Sequence, residues 1–303
     1  MNESSPFDLN DNTAYQQWRE KKLRDAPASV EELIVEIDDP RTITRSEHRA
    51  MLDLVRRCNM AVYVSKIGDL EGSSITKAAA MRFGCHNIDR NRGAEDDGVT
   101  AITLQSGELH SPYIPYSNRE IKWHTDGYYN RLDLQDYALI LHFVRPAQEG
   151  GENAVMDHEM AYLLMRDENP DYIRALMAED AMMIPKNVMN GVELRPDRIG
   201  PVFLETAAGN LHMRYTMRKR NIVWSSDPLV QEAVGWLENL LQSDSQYIYR
   251  ATMQAGWGLV SNNVLHDRTA FSDVTENSAD GTAKDGAGRL MYRARYHDRV
   301  YGS

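Results

Sequence analysis

The feature of this chain that most constrains its fold is a succession of short apolar runs, bounded by turn residues, which begins near residue 99. Such runs are typical of β-strands. They lie at residues 99–104, 120–124, 137–144, 247–253, 259–261 and 264–266. Helices do not alternate regularly with them, as they would in a parallel α/β protein. The pattern therefore favours an antiparallel barrel or sandwich that carries helical insertions.

The N-terminal part of the chain, residues 1–98, is predicted to be mostly helical. Residues 15–24 form a charged helix, and residues 44–47 have the Thr-x-x-Glu pattern of a capping box. A short strand is predicted at 60–65 and a further helix near 74–83. None of these elements contains residues that suggest chemistry.

Helices are also predicted inside the strand-rich region, at 157–166 and after the Asn-Pro and Asp-Pro pairs at 169–170 and 227–228. Each pair places an N-cap residue before a proline at the first helical position. We therefore predict one domain, residues 1–303, whose mainly β core with α insertions occupies residues 99–303.

One segment of that core differs in composition from the rest. Residues 272–288, SDVTENSADGTAKDGAG, are polar, rich in glycine and almost free of large apolar side chains. Such a segment lacks the apolar surface that would fix it in a core, so we predict a mobile surface loop.

Composition and charge exclude several classes of function. The net charge of −11 leaves no basic surplus for non-specific nucleic-acid binding. The two cysteines, Cys58 and Cys85, are too few for a disulfide framework or a cysteine-based zinc site, which favours a reducing compartment. No apolar run approaches a membrane span, and the polar N-terminus lacks the features of a secretory signal. We predict a cytoplasmic protein and leave its oligomeric state open.

Three residues are candidates for a metal site. Residues two apart on a strand point to the same face, so His124 and Asp126 in WHTDG could present an imidazole and a carboxylate to one cation. His266, at the end of a later apolar strand, could complete a triad of two histidines and one carboxylate. Such a triad binds Fe(II) and leaves three coordination positions open for a cosubstrate and dioxygen.

The C-terminal strand contributes a set of arginines. In RLMYRARY, residues 289–296, a period of two sends Arg289, Arg293 and Arg295 to one face. A strand with its arginines in water has the same pattern. However, three guanidinium groups that follow a candidate metal histidine suggest an anion site, since guanidinium binds carboxylates through paired hydrogen bonds.

With these motifs in order, the chain resembles the taurine-dioxygenase-like superfamily of Fe(II)- and 2-oxoglutarate-dependent oxygenases, which includes gamma-butyrobetaine hydroxylase. The motifs are WHTDG, GGEN, NNVLHDR and RLMYR, within a resemblance that covers residues 111–296. The resemblance implies a double-stranded β-helix, or jelly-roll, fold after the N-terminal helices. It implies that His124, Asp126 and His266 bind iron, and that Arg289 binds a carboxylate of 2-oxoglutarate.

Two departures from the family pattern bear on these roles. Where many members have threonine after GG-Asp or GG-Glu, this chain has Asn153, whose amide can also donate a hydrogen bond to 2-oxoglutarate. The 22 residues between His266 and Arg289 exceed the usual gap because they contain the loop 272–288, which could act as a lid.

Asp126 points to hydroxylation, because related halogenases have glycine or alanine in its place. Desaturation stays open.

The substrate is predicted to be small and anionic. Arg293 matches a position that contacts an anionic substrate in the taurine enzyme. The other candidates for substrate contact lie on the C-terminal arginine strand, on a strand near residue 212, or in the polar and aromatic segment before the strand of His124. They are Arg295, Arg214, Tyr113, Tyr116 and Asn118. For Arg214, a solvated strand face is an equal alternative.

Two substrate classes compete. The N-terminal segment and the length suggest the branch that hydroxylates the Kdo sugar of lipopolysaccharide, which would require peripheral membrane contact. A free amino acid, a small carboxylate or a sulfonate is the alternative.

Two other classes of function also fit part of the pattern, namely a zinc-dependent hydrolase that uses the same ligands and a non-catalytic jelly-roll binding protein. The first gives Arg289 no role, and the second leaves a complete ligand set unexplained.

Overall fold

A computed structural model describes residues 5–67, 72–90, 96–104, 114–273 and 288–303 of the chain. The helices are α1 (Asn12–Arg24), α2 (Arg45–Cys58), α3 (Ser74–Arg82), α4 (His158–Glu168), α5 (Pro170–Leu176) and α6 (Pro228–Leu241), and short 3-10 helices lie at Val30–Leu33, Ile114–Tyr116 and Lys219–Asn221. The strands are β1 (Ile34–Ile37), β2 (Met60–Ser65), β3 (Thr100–Thr103), β4 (Ile121–His124), β5 (Ala138–Arg145), β6 (Glu149–Gly150), β7 (Asn153–Met156), β8 (Met182–Ile184), β9 (Asn187–Met189), β10 (Val192–Arg195), β11 (Arg198–Gly200), β12 (Phe203–Glu205), β13 (Leu211–Met213), β14 (Val223–Trp224), β15 (Tyr249–Ala251), β16 (Trp257–Ser261), β17 (Leu265–Arg268), β18 (Phe271–Ser272) and β19 (Leu290–Tyr296).

The helices begin where the sequence predicts them. The Thr44 hydroxyl accepts a hydrogen bond from the backbone of Glu47, whose side chain in turn accepts from the backbone of Thr44, so the predicted capping box of α2 is confirmed. Asn169 and Asp227 cap α5 and α6, each ahead of a proline at the first helical position. None of the helices within the described ranges is long and apolar enough to cross a membrane.

The larger sheet has six strands in the order β1-β2-β16-β5-β19-β3. Its central strand β5 is buried from Ala138 to Val144, as expected of a strand covered on both faces. The N-terminal part supplies two of these strands, since β1 pairs with β2 in parallel at one edge. Residues 1–98 therefore build part of the main sheet as well as the helices predicted there.

The smaller sheet carries the candidate metal ligands. It has four strands in the order β15-β7-β17-β4. One apolar cluster contains Leu141 and Phe143 of the larger sheet together with Tyr249 of the smaller one, so the two sheets share a core. Outside this core, α4, α5 and α6 pack around a second apolar cluster that includes Leu163, Leu176 and Leu237.

A buried ion cluster attaches α1 to this framework. The Nζ atom of Lys22 lies 2.6 Å from the Asp157 carboxylate and 2.5 Å from that of Glu159, and Lys22 is only 5% exposed. We expect Lys22→Ala to lower the free energy of unfolding by about 3–5 kcal/mol, because it leaves two buried carboxylates without their cation. Urea denaturation at neutral pH would measure this loss.

The matched control is Lys66→Ala, since Lys66 pairs with Asp38 at 2.5 Å on the exposed surface. Solvent-exposed pairs contribute little to stability, so the control should unfold at nearly the wild-type urea concentration. Equal unfolding midpoints for the two variants would contradict a structural role for the Lys22 cluster.

Candidate metal centre

The smaller sheet brings the three candidate metal ligands together. His124 ends β4, His266 lies on β17, and the two are direct partners in the antiparallel register, with ring centroids 4.2 Å apart. Asp126 follows β4. Ligand atoms of the three side chains all lie within 4.8 Å of one another. Residues that are 140 positions apart in sequence therefore converge on one point.

Backbone carbonyl groups fix the orientation of both imidazole rings. The Nδ1 atom of His124 lies 2.9 Å from the carbonyl oxygen of Lys122, and the Nδ1 atom of His266 lies 2.9 Å from that of Val264. A carbonyl oxygen only accepts, so each Nδ1 carries the hydrogen and each Nε2 presents a lone pair. Burial and the neighbouring His266 lower the pKa of His124 to about 3, and burial lowers the pKa of His266. Both rings are therefore neutral.

The backbone of Asp126 is held by the side chain of Asn263, from another segment of the chain. Its backbone N–H donates to the side-chain oxygen of Asn263 at 2.8 Å, and the Asn263 amide donates back to the Asp126 carbonyl at 2.8 Å. The next residue, Gly127, has a φ of +65°, and a Cβ atom there would lie 2.1 Å from the Asp136 carboxylate. Glycine is therefore required in WHTDG, because any side chain would meet Asp136.

The carboxylate of Asp126 is ionised. Burial alone would raise its pKa, but the charges of Arg293 and Arg295 hold the pKa of Asp126 well below its usual range. The Nη1 atom of Arg293 lies 3.2 Å from Asp126 Oδ1. Two neutral imidazoles and one anionic carboxylate form the donor set of a mononuclear Fe(II) site with open positions. The residues present thus fit the iron that the sequence predicts.

Arg289 and a second arginine, Arg268, form a cationic pair beside this site. Both are 3% exposed, and their guanidinium groups lie 5.4 Å and 4.7 Å from the ring centroid of Phe271. Burial, with Arg289 nearby, lowers the pKa of Arg268 to about 9, and burial lowers that of Arg289 to about 10. Neither guanidinium forms an ion pair with any residue that the structure describes. The Asp273 carboxylate lies near Arg289 and accepts from its backbone N–H at 2.9 Å, but it forms no ion pair with either guanidinium. Two buried guanidinium groups without an ion-pair partner among the described residues are suited to bind a carboxylate.

Asn153 lies next to this arginine pair. It is the direct register partner of Arg268 across β7 and β17, which places both side chains on one face of the sheet. Its amide nitrogen donates to the carbonyl oxygen of Asp267 at 3.2 Å, while its Oδ1 atom is buried and has no hydrogen-bond partner among the described residues. The second amide hydrogen is available to a ligand.

Arg295, in contrast, is committed to acidic side chains of the protein. It forms an ion pair with Asp89, its Nε atom lies 3.4 Å from Asp136, and it donates to the hydroxyl of Tyr129 at 2.9 Å. His297 completes this cluster, with Nδ1 3.4 Å from Asp136. Burial raises the pKa of Asp136 to about 8, although Arg295 opposes the shift. Arg295 therefore has its charge balanced within the protein, and we do not propose that it binds substrate directly.

The remaining candidates for substrate contact have different environments. Arg214 is fully buried next to the metal strand. Tyr116 is buried at the end of the 3-10 helix Ile114–Tyr116, whereas the Asn118 side chain is exposed and its backbone carbonyl accepts from the N–H of Phe271. Tyr113 lies outside the described residues, as does most of the predicted loop 272–288.

Comparison with known proteins identifies the family of the chain. Residues 24–295 match the family model described as taurine catabolism dioxygenase TauD, TfdA family. The chain belongs to this family. No curated protein matches it. Membership in the TauD/TfdA family confirms the predicted superfamily and enzyme class, with iron and 2-oxoglutarate as cofactors. It does not support the alternatives of a zinc hydrolase or a non-catalytic binding protein.

Solved structures share the fold at low sequence identity. Asparagine oxygenase, solved with Fe(II), 3-hydroxyasparagine and succinate, is 13% identical with a TM-score of 0.53, and the match covers 94% of this chain and 92% of that one. The non-heme iron oxygenase OrfP, solved with Fe and alpha-ketoglutaric acid, is 16% identical with a TM-score of 0.58, over 92% and 90% of the two chains. PvcB from Pseudomonas aeruginosa is 13% identical with a TM-score of 0.57, over 88% and 85%. The predicted jelly-roll fold is confirmed.

Proposed function

We propose that this TauD/TfdA family member hydroxylates a small anionic molecule, with iron held by His124, Asp126 and His266. The observation that carries the proposal is the convergence of two Nε2 atoms and one ionised carboxylate, with both ring tautomers fixed by backbone carbonyls. When bound there, Fe(II) and 2-oxoglutarate supply the oxidation of a C–H bond by dioxygen, with release of succinate and CO2.

The residues of the chain would bind and orient the two organic molecules. Arg289 and Arg268 are placed to bind the distal carboxylate of 2-oxoglutarate, with the Asn153 amide as a further donor beside Arg268. The burial of both guanidinium groups strengthens such a pairing, because little water competes for the carboxylate. Arg293 would both hold Asp126 ionised and lie within reach of substrate, as the position that it matches in the taurine enzyme does.

A small free acid fits this site better than a lipid-linked sugar. The Asp126 side chain is 6% exposed and that of Arg293 14%, so the metal centre lies below the surface of the described chain. With Arg268 and Arg289 assigned to 2-oxoglutarate, the charge of Arg293 favours a substrate that carries a carboxylate or sulfonate. The hydroxylated amino acids in the asparagine oxygenase and OrfP structures support the amino-acid alternative, since an amino acid also carries a carboxylate. Kdo, an acidic sugar, stays a prediction from sequence.

Two measurements test the proposed function. Anaerobic addition of Fe(II) and 2-oxoglutarate should give a weak visible metal-to-ligand charge-transfer band. In air, succinate release should then be screened with amino acids, dicarboxylates, sulfonates, free Kdo and lipopolysaccharide fragments. We expect at least one small anionic compound to raise succinate release several-fold above the substrate-free rate, with oxygen consumed in step.

The outcome that would reject the proposal is equally specific. Without the band, and without succinate from any compound, the chain would not be a 2-oxoglutarate-dependent oxygenase. If stimulation came only from neutral or cationic compounds, the oxygenase would stand and the anionic substrate class would be wrong.

A further inference from the structure

Arg214 is a buried cation for which the described protein supplies no anion. It is 0% exposed, and its Nη1 atom donates to the carbonyl oxygen of Pro201 at 3.1 Å. The Nε and Nη2 atoms are buried and have no hydrogen-bond partner within the described ranges. Burying a guanidinium with two of its donor atoms unpaired is costly, so a bound anion would stabilise this arrangement.

The local strand pairing directs Arg214 toward the metal centre. Thr216 forms an antiparallel bridge with His124, and Thr125 donates from its backbone N–H to the carbonyl oxygen of Tyr215 at 3.1 Å. Side chains alternate along an extended chain, so Arg214 lies on the same side as Thr216. In this register Arg214 comes opposite Asp126. The Arg214 side chain therefore leaves the backbone on the face that carries the iron ligands.

The guanidinium lies directly against the backbone of Gly200. An added Cβ atom at Gly200 would lie 2.6 Å from Arg214 Nη1, so a side chain there would displace the guanidinium from its present position. Gly200 ends β11, and the Arg214 side chain reaches across to it from the chain segment after β13. The backbone of Gly200 and Pro201 thus lines one side of the guanidinium.

The local charges distinguish Arg214 from the other arginines of the site. Arg293 is bonded to Asp126, and Arg295 to Asp89 and Asp136. Next to Arg214 the structure instead places a second arginine, Arg198, and burial together with that charge lowers the pKa of Arg214 to about 10. The Asp133 carboxylate acts on Arg198 but not on Arg214. An anion bound between the two guanidinium groups would offset their mutual repulsion.

We infer that Arg214, with Arg198 beside it, forms a second anion subsite, which binds a carboxylate, sulfonate or phosphate group of the oxidised substrate. This inference rests on the proposed function and adds the position of the substrate anion, on the strand opposite Asp126. The first anion subsite, Arg268 with Arg289, is left for 2-oxoglutarate. The site thus provides each of the two organic molecules with its own arginine pair.

Sulfate is a suitable probe, because it has the charge and oxygen geometry that the subsite requires. Isothermal titration calorimetry would follow sulfate binding to the anaerobic protein loaded with Fe(II) and saturated with 2-oxoglutarate, at constant ionic strength. The bound 2-oxoglutarate occupies the first subsite. We expect Arg214→Gln to weaken sulfate binding at least about tenfold, as the loss of a charge-assisted hydrogen bond does. Tetramethylammonium, a cation of similar size, should not bind.

Two further variants make this test decisive. Arg41→Gln removes an arginine that pairs with Asp39 at 2.6 Å on the exposed surface, and it should bind sulfate as the wild type does. Arg214→Lys keeps a charge but not the planar fork, so its sulfate affinity should lie between those of the wild type and Arg214→Gln. If Arg214→Gln fails to fold, the sulfate affinity of Arg214→Lys still tests whether Arg214 binds the anion.

The two measurements distinguish failure of the second anion subsite from failure of the proposed function. Equal sulfate affinity in wild type and Arg214 variants, or no sulfate binding by the wild type, overturns the second subsite while the charge-transfer band is present. If the band itself is missing, the proposed function fails, whichever way sulfate binds.

Discussion

Asp126→Ala is expected to abolish substrate hydroxylation. The substitution removes the anionic member of the ligand set and leaves the Arg293 guanidinium, now 3.2 Å from that carboxylate, without a partner. A positive charge would then face the two imidazoles where a divalent cation should bind. The loss should exceed the roughly 10- to 100-fold that follows when only an outer partner of a metal ligand is removed. Product formation, with the iron content of the purified variant, measures it.

The matched control for this substitution is Asp126→Glu. Glutamate keeps the carboxylate and its charge on a longer side chain, so we expect weak but measurable hydroxylation and retained iron. If Asp126→Ala instead hydroxylated substrate at the wild-type rate, Asp126 could not be a ligand of the catalytic iron.

The sequence identifies the metal ligands for a simple physical reason. Two of the residues share a strand face by the period of two, and a third histidine ends another strand. The sequence does not show that β17 pairs with β4, which makes His266 and His124 register partners. That pairing joins residues 142 positions apart, and local periodicity contains no information about it.

Residues that support the ligands are harder to find from sequence. Asn263 holds Asp126 from within NNVLHDR, and a positive φ of 52° at Asn263 turns its side chain into this position. Arg268 had a detectable signal, because it stands two residues after His266 and so shares its strand face. Asp89, which balances the charge of Arg295, and Asp136 beside it had none, since nothing near them in the sequence marks a partner.

The limits of fold prediction have a similar origin. Long amphipathic helices such as α2 and α6 were predictable, because caps and an apolar stripe mark them. The strands β8 to β14 contain between two and four residues each, too few for an alternation to be recognised. They nevertheless build the region that holds Arg214.

The second large effect is expected for Arg289→Ala, which should raise the 2-oxoglutarate concentration required for half-maximal activity by about 100-fold. This magnitude corresponds to the 2–5 kcal/mol that truncation of a buried charge pair costs, at about 1.4 kcal/mol for each factor of ten. The rate at saturating 2-oxoglutarate should change much less, because Arg289 binds a carboxylate distant from the reacting bond. Anaerobic titration of the charge-transfer band gives 2-oxoglutarate affinity independently of turnover.

Comparison of three further variants shows how the two arginines share the carboxylate. Arg250→Ala, at an exposed position on β15 of the smaller sheet, should leave 2-oxoglutarate affinity unchanged. Arg289→Lys should weaken binding less than alanine does, since it retains the charge but loses the paired hydrogen bonds. Arg268→Ala should also weaken binding, because both guanidinium groups lie against Phe271 and neither forms an ion pair with a described residue. Unchanged 2-oxoglutarate affinity in Arg289→Ala would refute its assignment, and a loss confined to Arg268→Ala would place the carboxylate on Arg268 alone.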